Sequence, residues 1–224
     1  MIFAVGAIIA VGCAGDSDGE TGSTASVASN PSPADPPATV ASEAQEAEGT
    51  AGASACSPPD DGGELKDQDF DDHQLPWERN GAEKVVIYFE SGGVSEEYRG
   101  YLDQGAAAWN RSLCLDVRII DTCPEGVNCV TVSLTAGDDA DGNFDAVEEQ
   151  DFTRGGHIDL YYEQLDRLGD GAKLNVTIHE MGHAVGLRHR QTRNVLMNGD
   201  TYTDIFDPDE TDLYNLRLLY GNQE

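Results

Sequence analysis

Apolar positions fall in two separated parts of the chain: a run of ten at residues 2–11, IFAVGAIIAV, and a patterned stretch from Trp77 onward. Between them, from Cys13 to about residue 63, the chain is dominated by Ala, Ser, Gly, Thr, Pro, Asp and Glu, with no aromatic residue and no Lys or Arg. Such a segment cannot bury enough apolar area to offset an ordering entropy of roughly 1–2 kcal/mol per residue, so residues 13–76 are expected to form a disordered acidic linker. In the patterned part, Lys84–Glu90 is β-branched and aromatic and predicts a strand with a buried face. Residues 95–111 predict a helix capped by Ser95, with acids in its first turn and Tyr98, Tyr101, Leu102 and Trp109 near helical spacing. Strands are expected at Leu113–Ile120, Asn128–Leu134 and His157–Tyr162, with an acidic loop after the second of them. Helices are expected at 171–187 and at 209–220, the last entered by Asp207-Pro208 and ended by Gly221. The order of elements predicts one α/β (α+β) domain over residues 77–224, large enough for a core of its own.

The second of these helices carries the candidate chemistry, His179-Glu180-Met181-Gly182-His183-Ala184-Val185-Gly186-Leu187-Arg188-His189. Residues four apart share a helical face, so His179 and His183 can present imidazoles to one ion. Glu180 lies about 100° further round, where its carboxylate can reach a metal-bound water without being a ligand. Gly186 lets the backbone leave the helix through φ > 0, so that the chain can turn His189 toward the same ion. Three neutral imidazoles leave a fourth position open, the arrangement of a catalytic zinc site rather than a closed structural one.

This H-E-x-x-H-x-x-G-x-x-H pattern resembles that of the metzincin zinc endopeptidases, and it fixes five positions in eleven residues. Asn194-Val195-Leu196-Met197 resembles their Met-turn, and the spacing of Met197 from His189 looks like the matrixin branch. Weaker likenesses run through Ala106–Trp109, Gly156–Leu160 and Leu213–Gly221. The resemblance implies a zincin domain with a twisted mixed sheet, an active-site helix and a C-terminal helix. It also implies one catalytic Zn2+ held by His179, His183 and His189 above Met197, with Glu180 as general base in peptide-bond hydrolysis. The expected substrates are proteins or peptides, lying extended along an edge strand near His157–Tyr161, with Tyr202 in a pocket wall. The alternative from another class is a non-catalytic, surface-tethered zinc module that holds peptides in the same groove; the presence of Glu180 argues for the enzyme. Cys56-Ser57-Pro58-Pro59-Asp60 distantly resembles the matrixin latency motif, a reading set against a structural disulfide for Cys56.

Charge narrows the partners. The chain carries 42 acidic and 13 basic residues, a formal net charge of −29. Nucleic acid is excluded as a partner because each phosphate contact needs a cation the chain mostly lacks. A basic patch for anionic lipid is excluded likewise. The apolar run at 2–11 is too short to span a bilayer and fits a signal peptide over residues 1–12. Small residues before Cys13 resemble the lipobox of bacterial lipoproteins, which implies a protein anchored at the cell surface or in the periplasm with acylated Cys13 as its only contact with a membrane; the alternative is an ordinary secretory signal with an incidental Cys and a secreted protein, and both readings imply export. An oxidising compartment then favours pairing of the remaining cysteines. Cys123 and Cys129 flank the turn signal Pro124-Glu125-Gly126 and make the most economical bridge, which leaves Cys56 for Cys114, although four cysteines allow three connectivities. Asp139, Asp141, Asn143 and Asp145 resemble a Ca2+ loop but depart from its register at Phe144 and Gln150, so a solvated turn is preferred. His157 is a candidate second-zinc ligand without evident companions, and His73 is expected to be exposed. A monomer is expected.

Overall fold

The computed structural model describes residues 56–69, 74–137 and 140–223. Cys13, His73 and Asp139 lie outside the described residues. Among these residues five strands and four helices follow in the order β1 (Val85–Glu90), α1 (Glu96–Trp109), β2 (Leu115–Ile120), β3 (Cys129–Thr135), β4 (Gly142–Glu149), β5 (Phe152–Tyr161), α2 (Tyr162–Leu168), α3 (Asp170–Ala184) and α4 (Glu210–Gly221). The strands form one mixed sheet in the order β2-β1-β3-β5-β4, parallel except for the antiparallel pair β4–β5.

The period-two pattern decides which face of the sheet is covered. Val85, Ile87 and Phe89 of β1, Leu115 and Val117 of β2, Val130 and Val132 of β3 and Ile158 and Leu160 of β5 are all buried. Each contributes about 1.5–3 kcal/mol against exposure. Helix α1 packs against β2, α3 packs against β4 and β5, and the two helices pack on each other. Gly105 of α1 makes that approach close: a Cβ there would meet Met181 Cε at 3.2 Å. Ser95 caps α1 by accepting from the Tyr98 amide, as its sequence suggests.

Helix α3 is buried almost all round, which is the behaviour of a central helix rather than an amphipathic surface one. Its polar residues are satisfied internally. Asn175 donates to the Ile205 carbonyl at 2.6 Å and accepts from the Tyr202 amide at 3.0 Å, and Thr177 donates to the Lys173 carbonyl. The helix ends at Ala184, not at 187 as the pattern predicts. The backbone turns at Gly186, whose φ of 95° favours glycine. The carbonyls freed at that end are taken by side chains: the Trp77 indole donates to Ala184 O at 2.7 Å and the Tyr220 hydroxyl to Val185 O at 2.8 Å.

Three other expectations change. The acidic stretch read as a loop contains β4, because Phe144 supplies a buried position amid solvent-facing acids. The strand expected to start at His157 starts at Phe152, and α2 intervenes before α3. Residues 56–69 and 74–76, read from composition as linker, lie along the domain. Arg217 donates to the carbonyls of Ser57 and Pro58, and Asn215 exchanges two hydrogen bonds with the backbone of Lys66. Gly221 packs beneath Pro58, and Cys56 is bonded to Cys114. This strap buries only Cys56 and Pro59 of its apolar side chains and is otherwise held by polar contacts and a disulfide, so composition gives no sign of it. Cys123 is bonded to Cys129 across the turn between β2 and β3. No helix among the described residues is long and apolar enough to cross a membrane.

Candidate metal centre and cleft

The three histidines of the motif meet at one point. His179 and His183 project from successive turns of α3, and the turn at Gly186 returns His189 to them. Their Nε2 atoms are mutually 3.0–3.2 Å apart. His179 Nδ1 lies 2.7 Å from Leu196 O and His183 Nδ1 lies 2.8 Å from Leu187 O. A carbonyl oxygen only accepts, so each Nδ1 carries the proton and each Nε2 of a neutral ring presents a lone pair. Two lone pairs facing each other at 3.0 Å repel unless a cation lies between them. Burial favours the neutral form, pushing the His183 pKa down to about 3, with the neighbouring His189 adding to the shift. A donor set of three imidazoles, two oriented by backbone carbonyls, fits zinc at about 2.0–2.1 Å from each nitrogen. Among the described residues these are the only three His, Cys, Asp or Glu side chains grouped closely enough to hold an ion.

Met197 is fully buried and packs against Gly182 of α3, on the helix that carries the first two histidines. A Cβ on Gly182 would sit 2.9 Å from Met197 Cε and 2.7 Å from Trp109 Cζ2, so only glycine admits both neighbours. His189 is only partly buried, and its ring lies across Gly199.

A cleft of roughly 460 Å³ opens over the histidines, between α3 and the start of β4. Glu180 lines it together with Asp141, Gly142, Asn143 and Thr201. Strand β4 passes hard against the Glu180 carboxylate: a Cβ on Gly142 would lie 2.8 Å from Glu180 Oε1. Among the described residues β4 ends the sheet and no strand pairs with its outer edge, whereas β5 is paired on both sides. The free edge beside the cleft is therefore β4, and the expectation of an edge at His157–Tyr161 is corrected. Thr201, rather than Tyr202, lines the cleft. The Tyr202 hydroxyl instead ties Asn194 to Asn198 within the turn that carries Met197.

Of the residues considered for other ions, Asn143 and Asp145 lie along β4, and Asp141 accepts a hydrogen bond from Thr201. His157 bonds Thr131 at 2.6 Å and Asp159 at 3.2 Å. Sequence reasoning missed Gln74, which lines the cleft from the strap, and Arg190, which is buried beside His189 among three carboxylates. A basic residue directly after the third histidine was the only signal for Arg190, and Gln74 had none.

A family model described as Matrixin matches residues 42–221, and no curated protein matches the chain.

Proposed function

The chain belongs to the matrixin family, and from that membership we propose that it is a zinc-dependent endopeptidase in which Glu180 is the general base and His179, His183 and His189 hold the ion. The observation that carries the reading is the convergence of three imidazole Nε2 atoms, two of them held as lone-pair donors by backbone carbonyls, beside a cleft lined by a carboxylate and by the outermost described strand. Bound zinc supplies the Lewis-acid chemistry, lowering the pKa of a water toward about 7 and polarising a carbonyl.

The protein's own residues do the rest. An extended peptide adds to the free edge of β4 by main-chain hydrogen bonds. Gly142 brings that edge against Glu180, so the scissile bond and the base share one end of the cleft. A Glu180 carboxylate oxygen takes the proton of the attacking water as its oxygen bonds to the peptide carbon. The same oxygen then returns the proton to the amine nitrogen as the C–N bond breaks. Leu196 and Leu187 keep the first two histidines in the ligating tautomer throughout.

Chelation tests the metal requirement. Cleavage of an unstructured protein substrate is expected to stop in excess chelator and to return on addition of one equivalent of zinc. Cleavage that persists after the metal is removed would contradict the proposal.

A further inference from the structure

His179 and His183 are carried by helix α3, whereas His189 follows the end of that helix at Ala184. It lies in irregular chain beyond Gly186 and is only partly buried. Its backbone and that of Arg190 are tied to two other parts of the chain. The His189 carbonyl accepts from the Asp69 amide at 2.8 Å. The Arg190 amide donates to Met197 O at 2.7 Å, and the Arg190 carbonyl accepts from Asn198 Nδ2 at 2.9 Å. The His189-Arg190 pair is thus bracketed by the strap on one side and by the Met197 turn on the other.

The Arg190 side chain locks this bracket. The side chain is 5% exposed, and its guanidinium reaches Asp67 of the strap at 2.9 Å, Asp209 at 2.7 Å and Asp212 at 3.1 Å. Burial works against its charge, but hydrogen bonds and attraction from these carboxylates outweigh burial and raise its pKa above the usual arginine value. Burial likewise opposes ionisation of Asp67, yet hydrogen bonds from Thr192 and Arg190 hold its carboxyl below the ordinary range. Asp212, the most deeply buried of the three, goes the other way and is pushed up to about 6. Asp209 and Asp212 also cap α4, so the clamp joins three parts of the chain. A buried ion cluster is a weak source of net stability but a strong one of register. Register is what a ligand on irregular chain lacks.

We infer that Arg190 is a positioning residue for the third metal ligand, and that the strap segment 66–69, through Asp67 and Asp69, is a working part of the metal site rather than linker. The inference rests on the zinc reading above and goes beyond it by assigning the site a component more than a hundred residues upstream of the histidine motif.

The test is zinc affinity of the full chain, measured by competition with a chromophoric chelator, alongside the visible spectrum of the cobalt-substituted protein and the melting temperature of the metal-free form. Asp67→Ala is expected to weaken zinc binding by about tenfold or more, as loss of a supporting contact to a ligand does, and to alter the cobalt spectrum. Arg190→Lys, which keeps the charge but loses the fork, is expected to change both in the same direction. Asp61→Ala serves as the control, since Asp61 is on the same strap and contacts Tyr214 and Lys66 but not the clamp; its affinity and spectrum are expected to match the parent. A lower melting temperature in Asp67→Ala with unchanged zinc affinity and cobalt spectrum would overturn the inference, as would an equal loss in Asp61→Ala. A parent chain that binds no zinc would instead overturn the metal reading itself.

Discussion

Gly182 is the residue at which sequence and geometry are most tightly joined. Within the motif it reads as one of two unspecified positions between the glutamate and the second histidine, yet it is the contact point of Met197 and Trp109 on the helix that carries His179 and His183. Gly182→Ala places a methyl within 3 Å of both, and overpacking of this kind costs roughly 1–3 kcal/mol. The melting temperature of Gly182→Ala is expected to fall accordingly, and an unchanged value would show that the Met197 turn yields more freely than its burial implies. The convergence of His179 and His183 is legible because helical periodicity alone puts the imidazoles on one face. Arg190 is not, because its meaning depends on Asp67, Asp209 and Asp212, which no local pattern connects.

At the scale of elements, β1, α1, α3 and α4 could be read from apolar spacing and caps. Strand β4 could not, since its acids conceal the one buried aromatic, Phe144, that marks its inner face. The end of α3 was also misjudged, for a physical reason: apolar residues continue to Leu187, while the helix stops at Ala184, where Trp77 and Tyr220 supply hydrogen bonds to its last carbonyls. Trp77→Phe keeps the aromatic packing but leaves the Ala184 carbonyl unpaired in the core. That costs about 1–3 kcal/mol, seen as a lower denaturation midpoint. A midpoint equal to the parent's would mean that the indole hydrogen bond does not anchor the helix.

Across the whole molecule, the charge of −29 divides almost evenly between residues 14–78 and the remainder, with net values of −14 and −15. The first of these segments is not uniform. Its described part, residues 56–69 and 74–78, is laid along the domain and carries the carboxylate of Asp67 to a buried arginine. Composition reports only how much apolar area a segment can bury, so a strap secured by backbone hydrogen bonds, ion pairs and the Cys56–Cys114 bridge reads as linker. The strap, the Met197 turn and α4 thereby converge on the one histidine of the three that α3 does not carry. If this assembly presents a zinc ion to a peptide beside Glu180, then Glu180→Gln separates metal binding from catalysis, with zinc content and cleavage rate of an unstructured protein substrate measured on the same samples. The expected result is one zinc per chain in both parent and variant, with cleavage in the variant reduced by about 10²–10⁴-fold; equal cleavage rates at equal zinc content would contradict it.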